Sequence, residues 1–331
     1  MSTATLLSKV NPIHIGWSVG TLGVSLLLNT YNIATLFFLV TVLQIEPIIA
    51  GALITGSKLY DAFTDPLMGT ISDRTRSRWG RRRPYLMIGG IACGLSFAAL
   101  FSLPVIADPT MLYVAVGLAL VLLSTAYTIY NVPYLAMPTE MIDDYHERSV
   151  MMSYRSFLIA IGTFIGISAT PFALAMMQEQ MGLTASEAYR NMGIGIGTLM
   201  TIAMIGSFFG TSRARFTEPV ISQMPIAERV RLILNNKQFL LFLGIKLTGL
   251  FSLASVVATS FFFVTYVMER SIGIATFYGI ATLVAQVLGI PVWLSLAKRY
   301  GKSRILVFSS IGTLFLALSW LLSGPQEPLW I

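Results

Sequence analysis

The chain has 331 residues, of which 55% are hydrophobic and only 11% charged, and its mean hydropathy is +0.74. A soluble domain carries about 25% charged residues, so this chain cannot cover itself with a polar surface, and a water-soluble enzyme or binding domain is excluded. Its net charge of +7 would suit nucleic acid, but the basic residues cluster in particular loops, which argues against that partner.

Nine segments are long and apolar enough to span a bilayer, which takes about 20 residues each. They cover roughly 15–42, 48–72, 84–104, 111–137, 151–177, 191–210, 239–267, 273–297 and 304–323. The first is too long for the apolar part of a signal peptide and reads as a spanning helix. Most connections are short; residues 177–191 and the polar stretch 211–238 are the longer ones. Arg74, Arg76, Arg78, Arg81, Arg82 and Arg83 follow the second span. Arg213, Arg215, Arg229, Arg231 and Lys237 follow the sixth, and Lys298, Arg299, Lys302 and Arg304 the eighth. The opposite loops hold only Arg190 and Arg270. Basic residues stay on the cytoplasmic side, which places Lys9 and the N-terminus there. "SDRTRSRWGRRRP" after the second span and "LAKRYGKSR" after the eighth form a faint internal repeat. A six-helix unit over 1–211, a cytoplasmic connection over 212–238 and a partial second bundle over 239–331 follow, with "GPQEPLWI" as an outer loop and the start of another span. The chain thus reads as a fragment, or a truncated form, of a longer protein.

Within the second span Lys58, Asp61 and Asp65 stand at i, i+3 and i+7, on one helical face. One ionised residue at the membrane centre costs about 2.5–3.5 kcal/mol on the insertion scale, so three facing lipid would threaten insertion. The stripe is expected to face a bundle interior or a water-filled cavity. Buried ion pairs stabilise weakly compared with apolar packing, so a purely structural role explains it poorly. These three charges sum to −1, which suits a single Na⁺ or H⁺, with Thr64 beside them as a further hard oxygen.

"KLYDAFTDPLMGTISDRTRSRWGRRRPYL" and the later "YTIYNVPYLAMPTEMIDDYHERSVMMSYRSF" resemble the glycoside–pentoside–hexuronide:cation symporters of the major facilitator superfamily. The resemblance implies an all-α polytopic membrane protein of major facilitator fold, with about nine transmembrane helices present of an expected twelve arranged 6+6. It further implies coupled uptake of sugar with Na⁺, Li⁺ or H⁺. By position, Asp61, Thr64, Asp65 and Thr128 match the family's cation site, with Na⁺ at Asp61 and Asp65 as the sole metal expected. Arg155 matches an arginine implicated in sugar binding; Lys58, Tyr127 and Asn131 complete the expected substrate side. Two acidic sugar-binding positions of the melibiose permease pattern are Ser25 and Asn131 here, so galactoside specificity does not carry over.

The arginine loop and the acidic run 139–149 suit a breakable cytoplasmic gate, for which Asp73, Arg74, Arg78, Arg82, Glu140 and Arg148 are the candidates; a solvated loop is the bland alternative for the acidic run. "GIGIG" at 193–197 lies inside an apolar helix, where Gly193 and Gly197, like Gly162 and Gly166, suit close packing rather than a nucleotide. Cys93 has no disulfide partner, and His14 and His146 are too far apart and too bare of companions for zinc. Lys246 either snorkels or faces the cavity, and Gln286 contacts solute or a neighbouring helix. The reading is a cation-coupled (Na⁺ or H⁺) symporter of a sugar or related polar solute, needing no cofactor. It would work as a monomer among membrane lipids in a bacterial cytoplasmic membrane. A carrier of lysophospholipid is the alternative, and a non-transporting sensor or inactive fragment a second one.

Overall fold

A computed structural model describes residues 11–214, 226–262 and 274–319. Lys9, Arg215, Arg270 and the 324–331 tail lie outside the described residues, as does the side chain of Gln286. The described elements are helical: α1 (Pro12–Phe37), α2 (Pro47–Arg74), α3 (Arg83–Phe101), α4 (Pro109–Met141), α5 (Tyr145–Phe164), α6 (Thr170–Glu179), α7 (Ala185–Gly210), α8 (Ile226–Asn235), α9 (Lys237–Phe262), α10 (Ile274–Tyr300) and α11 (Lys302–Ser319). Two π-helical turns, Phe38–Val42 after α1 and Ile165–Ala169 between α5 and α6, make each of those spans one continuous helical stretch.

Five of the described helical stretches are long and apolar enough to cross a membrane: Pro12–Val42, Arg83–Phe101, Pro109–Met141, Glu147–Glu179 and Ala185–Gly210. This is an integral, multi-pass, all-α membrane protein. Helix α2 is equally long but its polar stripe lowers its hydropathy below theirs.

The chain divides into two compact units. The first holds α1–α7 and residues 278–291 of α10; the second holds α8, α9, the ends of α10, and α11. In the first, α3 packs on α7 and α4, α1 on α7 and α5, and α2 on α4. Side-chain bonds fix the directions. Ser57, Tyr60 and Asp65 of α2 meet Ser124, Thr125 and Thr128 of α4 in rising order, so these helices are parallel. Ser18, Ser25 and Asn29 of α1 meet Met151, Ile159 and Thr163 of α5 in the same way. Helices α2 and α5 therefore end the chain of packed neighbours, each leaning on one main partner.

The core is filled by Trp17, Tyr130, Tyr134, Phe38, Phe97 and Phe101, all essentially inaccessible. Trp17 stacks on Tyr134 at 4.7 Å, its indole N–H donates to the Tyr134 carbonyl at 3.2 Å, and the Tyr134 hydroxyl donates to the Trp17 carbonyl at 2.8 Å. Buried aromatics with satisfied polar ends give apolar area without leaving an orphaned donor. Close helix approach needs glycine at two places in this span, Gly162 on α5 and Gly166 in the π-helical turn that follows it. A Cβ on Gly162 would come within 2.6 Å of the Ser25 Cβ, and one on Gly166 within 2.6 Å of the Asn29 Cβ. That contact sets the α1–α5 register. Gly193 is equally tight against Phe101.

Three expectations from sequence shift. The stretch 211–238 is not loop throughout, since α8 occupies part of it; "IAERVRLILN" alternates charge and apolar residues at helical spacing, and such amphipathicity supports a helix that does not span. The sixth span starts at Ala185 rather than 191, because Thr184 and Glu187 form a reciprocal capping box that extends the helix beyond its apolar part. The fourth runs to Met141, carrying Pro133 and Pro138 within it.

Candidate functional site

Helix α2 has three faces. Leu59, Phe63 and Leu67, four residues apart, are exposed and apolar. Ser57 and Met68 are buried on the α4 side. Lys58, Asp61 and Asp65 form the third face, nearly opposite the apolar one, as 3.6 residues per turn requires. Pro66 follows Asp65 inside the helix. It offers no N–H, so the Ala62 carbonyl four residues earlier loses its helical donor.

Lys58 Nζ stands 3.4 Å from Asp61 Oδ2 and 4.9 Å from the centre of the Tyr31 ring on α1. The Asp61 side chain is 16% exposed and that of Lys58 45%. The other Asp61 oxygen, Oδ1, is buried and accepts no hydrogen bond. The Thr128 hydroxyl of α4 donates to Asp65 Oδ1 at 2.7 Å. Thr128 is buried, and α2 and α4 are pinned one turn away by the Tyr60–Thr125 contact at 3.1 Å. Thr64 points back on its own helix, its hydroxyl donating to the Tyr60 carbonyl at 3.2 Å. The structure thus brings Lys58, Asp61, Asp65 and Thr128 together, while the Thr64 hydroxyl is turned to its own backbone.

Tyr127 and Asn131 lie on α4 beside and one turn beyond Thr128, both partly buried. Tyr127 is within Coulombic reach of Asp61, Asp65 and Arg155. Arg155 sits on α5, partly buried, with its Nε buried and without a partner. Nearby, Asn29 Nδ2 donates to the Ser25 carbonyl at 2.8 Å and approaches Thr163 Oγ1 at 3.3 Å. This uncharged polar patch was not legible in the sequence, because it depends on the α1–α5 register.

At the arginine-rich end two arginines are paired with two acids. Arg82 Nη2 stands 2.8 Å from both Asp73 Oδ1 and Glu140 Oε1, and Arg81 also pairs with Glu140. Asp73, Arg82 and Glu140 therefore converge, with Arg81 as a member that sequence spacing did not single out. Arg74 is exposed at the last turn of α2, where a cation suits the helix dipole. Arg78 lies 4.9 Å over the Trp79 ring, and Arg148 donates to the Ile142 carbonyl at 2.6 Å. None of these three joins the cluster. Glu147, from the same acidic run, meets His14 of α1 at 3.0 Å. Lys246, on α9 in the second unit, lies 5.7 Å from the centre of the Phe242 ring.

The family described as MFS/sugar transport protein matches residues 16–330. YagG of Escherichia coli strain K12, which carries the provisional name of a glycoside/cation symporter, is 30% identical over 261 residues, 77% of this chain and 55% of that protein. The inner membrane symporter YicJ of the same organism is 24% identical over 287 residues, 84% of this chain and 60% of YicJ. A lactose permease of Lactobacillus delbrueckii subsp. bulgaricus is 23% identical over 280 residues, 80% of this chain and 43% of the permease. The chain thus spans about half the length of these relatives.

Proposed function

We propose a transport function from one premise: this chain belongs to the MFS/sugar transport protein family, in its glycoside–pentoside–hexuronide:cation symporter branch, whose members are transporters rather than enzymes. The protein moves a small solute of the sugar class across a membrane together with Na⁺ or H⁺, by alternating access.

The observation that carries this reading is the state of Asp61. A buried carboxylate oxygen without a donor is costly, yet here one lies beside a second carboxylate that a buried threonine holds in place. A small cation binding Asp61 Oδ1 and Asp65, or a proton on Asp61, removes that cost. Lys58 offsets one charge and leaves the site one positive charge short of neutrality. Hard oxygens are what Na⁺ prefers; Asp61, Asp65, Thr128 and the freed Ala62 carbonyl supply them, and rotation of Thr64 would add another.

Solute then binds on the α4–α5 side, where Tyr127, Asn131 and Arg155 supply donors and acceptors. Each ligand improves the site of the other, and that linkage is reciprocal. The cluster of Asp73, Arg81, Arg82 and Glu140 serves as the closing contact of the arginine-rich end, which faces the cytoplasm with the N-terminus. Ion pairs formed in one state and lost in the other suit such a bistable contact. The bacterial cytoplasmic membrane is the proposed location.

The test is a pH and uptake trace in lightly buffered cells carrying the gene, challenged with a sugar panel with and without Na⁺. Alkalinisation on adding one sugar is the outcome for H⁺ coupling. Uptake sustained by Na⁺ with no pH change is the outcome for Na⁺ coupling. Uptake that ignores both gradients, or survives Asp61→Asn unchanged, overturns the reading.

A further inference from the structure

Helix α8 has 10 residues, about half of what a membrane span needs. At 3.6 residues per turn, Ile226, Ala227, Val230, Ile233 and Leu234 share one face. Arg229 and Arg231 stand on the two flanks of that face, roughly 100° to either side of its centre. Glu228 and Asn235 are placed opposite, with Leu232 as the apolar residue that departs from the pattern. The helix thus has an apolar arc edged on both sides by a cation, and its acid is on the far side.

The chain on either side fixes where this helix lies. Helix α7 ends where the Arg83 guanidinium donates to the Phe208 carbonyl at 2.9 Å, at the arginine-rich end of the first unit. Residues 215–225 contain no apolar run long enough to cross a membrane, so α8 begins on the side where α7 ends. A single residue, Asn236, joins α8 to α9, which carries the apolar segment that starts at 239. The Asn236 N–H donates to the Ile233 carbonyl at 3.1 Å, and its side-chain oxygen accepts from the Phe239 N–H at 3.1 Å. That capped corner holds α8 at the membrane surface rather than out in the water. Ile233 and Leu234 are 47% and 60% exposed, so the described residues leave this end of the apolar arc open.

We infer that α8 is a docking surface for anionic lipid: it lies flat in the headgroup layer on the arginine-rich side, with its apolar arc toward the acyl chains and its flanking arginines level with the phosphates. A strongly two-faced helix with basic residues beside a modest apolar face prefers the interface to either water or the membrane core. Guanidinium presents paired N–H donors that fit phosphate oxygens, and each cation near an anionic leaflet adds its own attraction. A zwitterionic leaflet accepts the apolar arc but gives the arginines no net field. A second copy of α8 would set the same cations against them, which disfavours self-pairing. This assignment is independent of the solute that the carrier moves.

Cys93 is fully buried, so a cysteine introduced on α8 can be labelled alone. The purified full chain carrying Leu234→Cys or, separately, Asn235→Cys is labelled with a fluorophore. It is then placed in vesicles of phosphatidylcholine, with and without phosphatidylglycerol. Quenching by aqueous acrylamide and by lipid bearing a nitroxide high on its acyl chain reads the depth of each label. With phosphatidylglycerol present, the label at 234 is expected to be quenched by lipid and sheltered from acrylamide, and its neighbour at 235 to behave in the opposite way. Replacing Arg229→Gln and Arg231→Gln should lower the ratio of sheltered to unsheltered label about fivefold for each arginine. Arg229→Lys and Arg231→Lys should keep most of it, and salt should weaken it. Equal access of acrylamide to both positions overturns the inference, as does sheltering that is no greater with phosphatidylglycerol or that survives the double glutamine variant. Sheltering that follows the protein-to-lipid ratio instead of the lipid charge overturns it in favour of a second copy.

Discussion

Two pairs of acidic residues on α2 and α4 meet opposite fates in this protein. Asp73 and Glu140, at the arginine-rich end, converge on Arg81 and Arg82, so that two anions share two guanidinium groups. Asp61 and Asp65, near the middle of α2, have one flanking lysine, one threonine hydroxyl and a buried oxygen with nothing on it. The first cluster is balanced in charge as it stands, though Arg82 Nε and Nη1 are buried without an acceptor. The second is organised but short of one positive charge, and the missing partner is what a transport site must leave to its ligand.

The comparison breaks most visibly at Glu140. Its side chain is 9% exposed, and Glu140→Gln leaves Arg81 and Arg82 short of their buried anion. The expected loss is about 3–5 kcal/mol, read as a fall in thermal stability of the purified chain, with cation binding little changed below the transition. Asp61→Asn should do the reverse. It removes a ligand from a site that nothing else completes, so cation-driven uptake falls about 100-fold or more, while the melting temperature stays level or rises. If the two substitutions exchanged these signatures, the distinction between closed and open pairs would be wrong.

Thr128→Val sharpens the picture of the open pair. It deletes the donor to Asp65 and is expected to weaken cation binding about tenfold, roughly 1.4 kcal/mol, with Thr128→Ser restoring most of it; a cation titration of both variants decides. Smallest is Asp73→Asn. Its side chain is 51% exposed, and exposed ion pairs contribute about 0–1 kcal/mol, so stability should hardly move. A large effect there would mean that Arg82 depends on Asp73 as much as on Glu140.

Much of this was readable in the chain itself, for physical reasons that also mark where reading stops. A helix of known period puts Lys58, Asp61 and Asp65 on one face whatever surrounds it, and a membrane forces the basic loops to declare themselves. Contacts across helices obey no such local rule. That Arg81 pairs with Glu140, that His14 meets Glu147, or that Asn29 approaches Thr163, depends on interhelical register set by pairs such as Gly162 and Ser25. The family pattern identified Asp65 and Thr128 as candidates for one site, and the α2–α4 packing brings them into contact. It also named Thr64, whose hydroxyl in fact satisfies its own helix. The capping box at Thr184 was a missed helix boundary with a local signal, Thr-x-x-Glu ahead of an apolar run. So was Asp144, whose side chain caps α5 at Tyr145, ahead of the expected start of the fifth span at 151.

The two π-helical turns have a consequence for anyone aligning or mutating this chain. Each closes its hydrogen-bonded ring over one residue more than an α-turn does, as when the Leu43 N–H reaches the Phe38 carbonyl. One residue is about 100° of rotation, so a helical wheel drawn straight through 165–169 puts every side chain of α6 on the wrong side. Each such turn accommodates one extra residue without a loop. A single-residue gap belongs there rather than in the connections when the chain is compared with a protein whose fifth span is regular. Deleting one residue from Ile165–Ala169 would leave a continuous helix with its distal half turned, a phase error that no measure of helix content would detect.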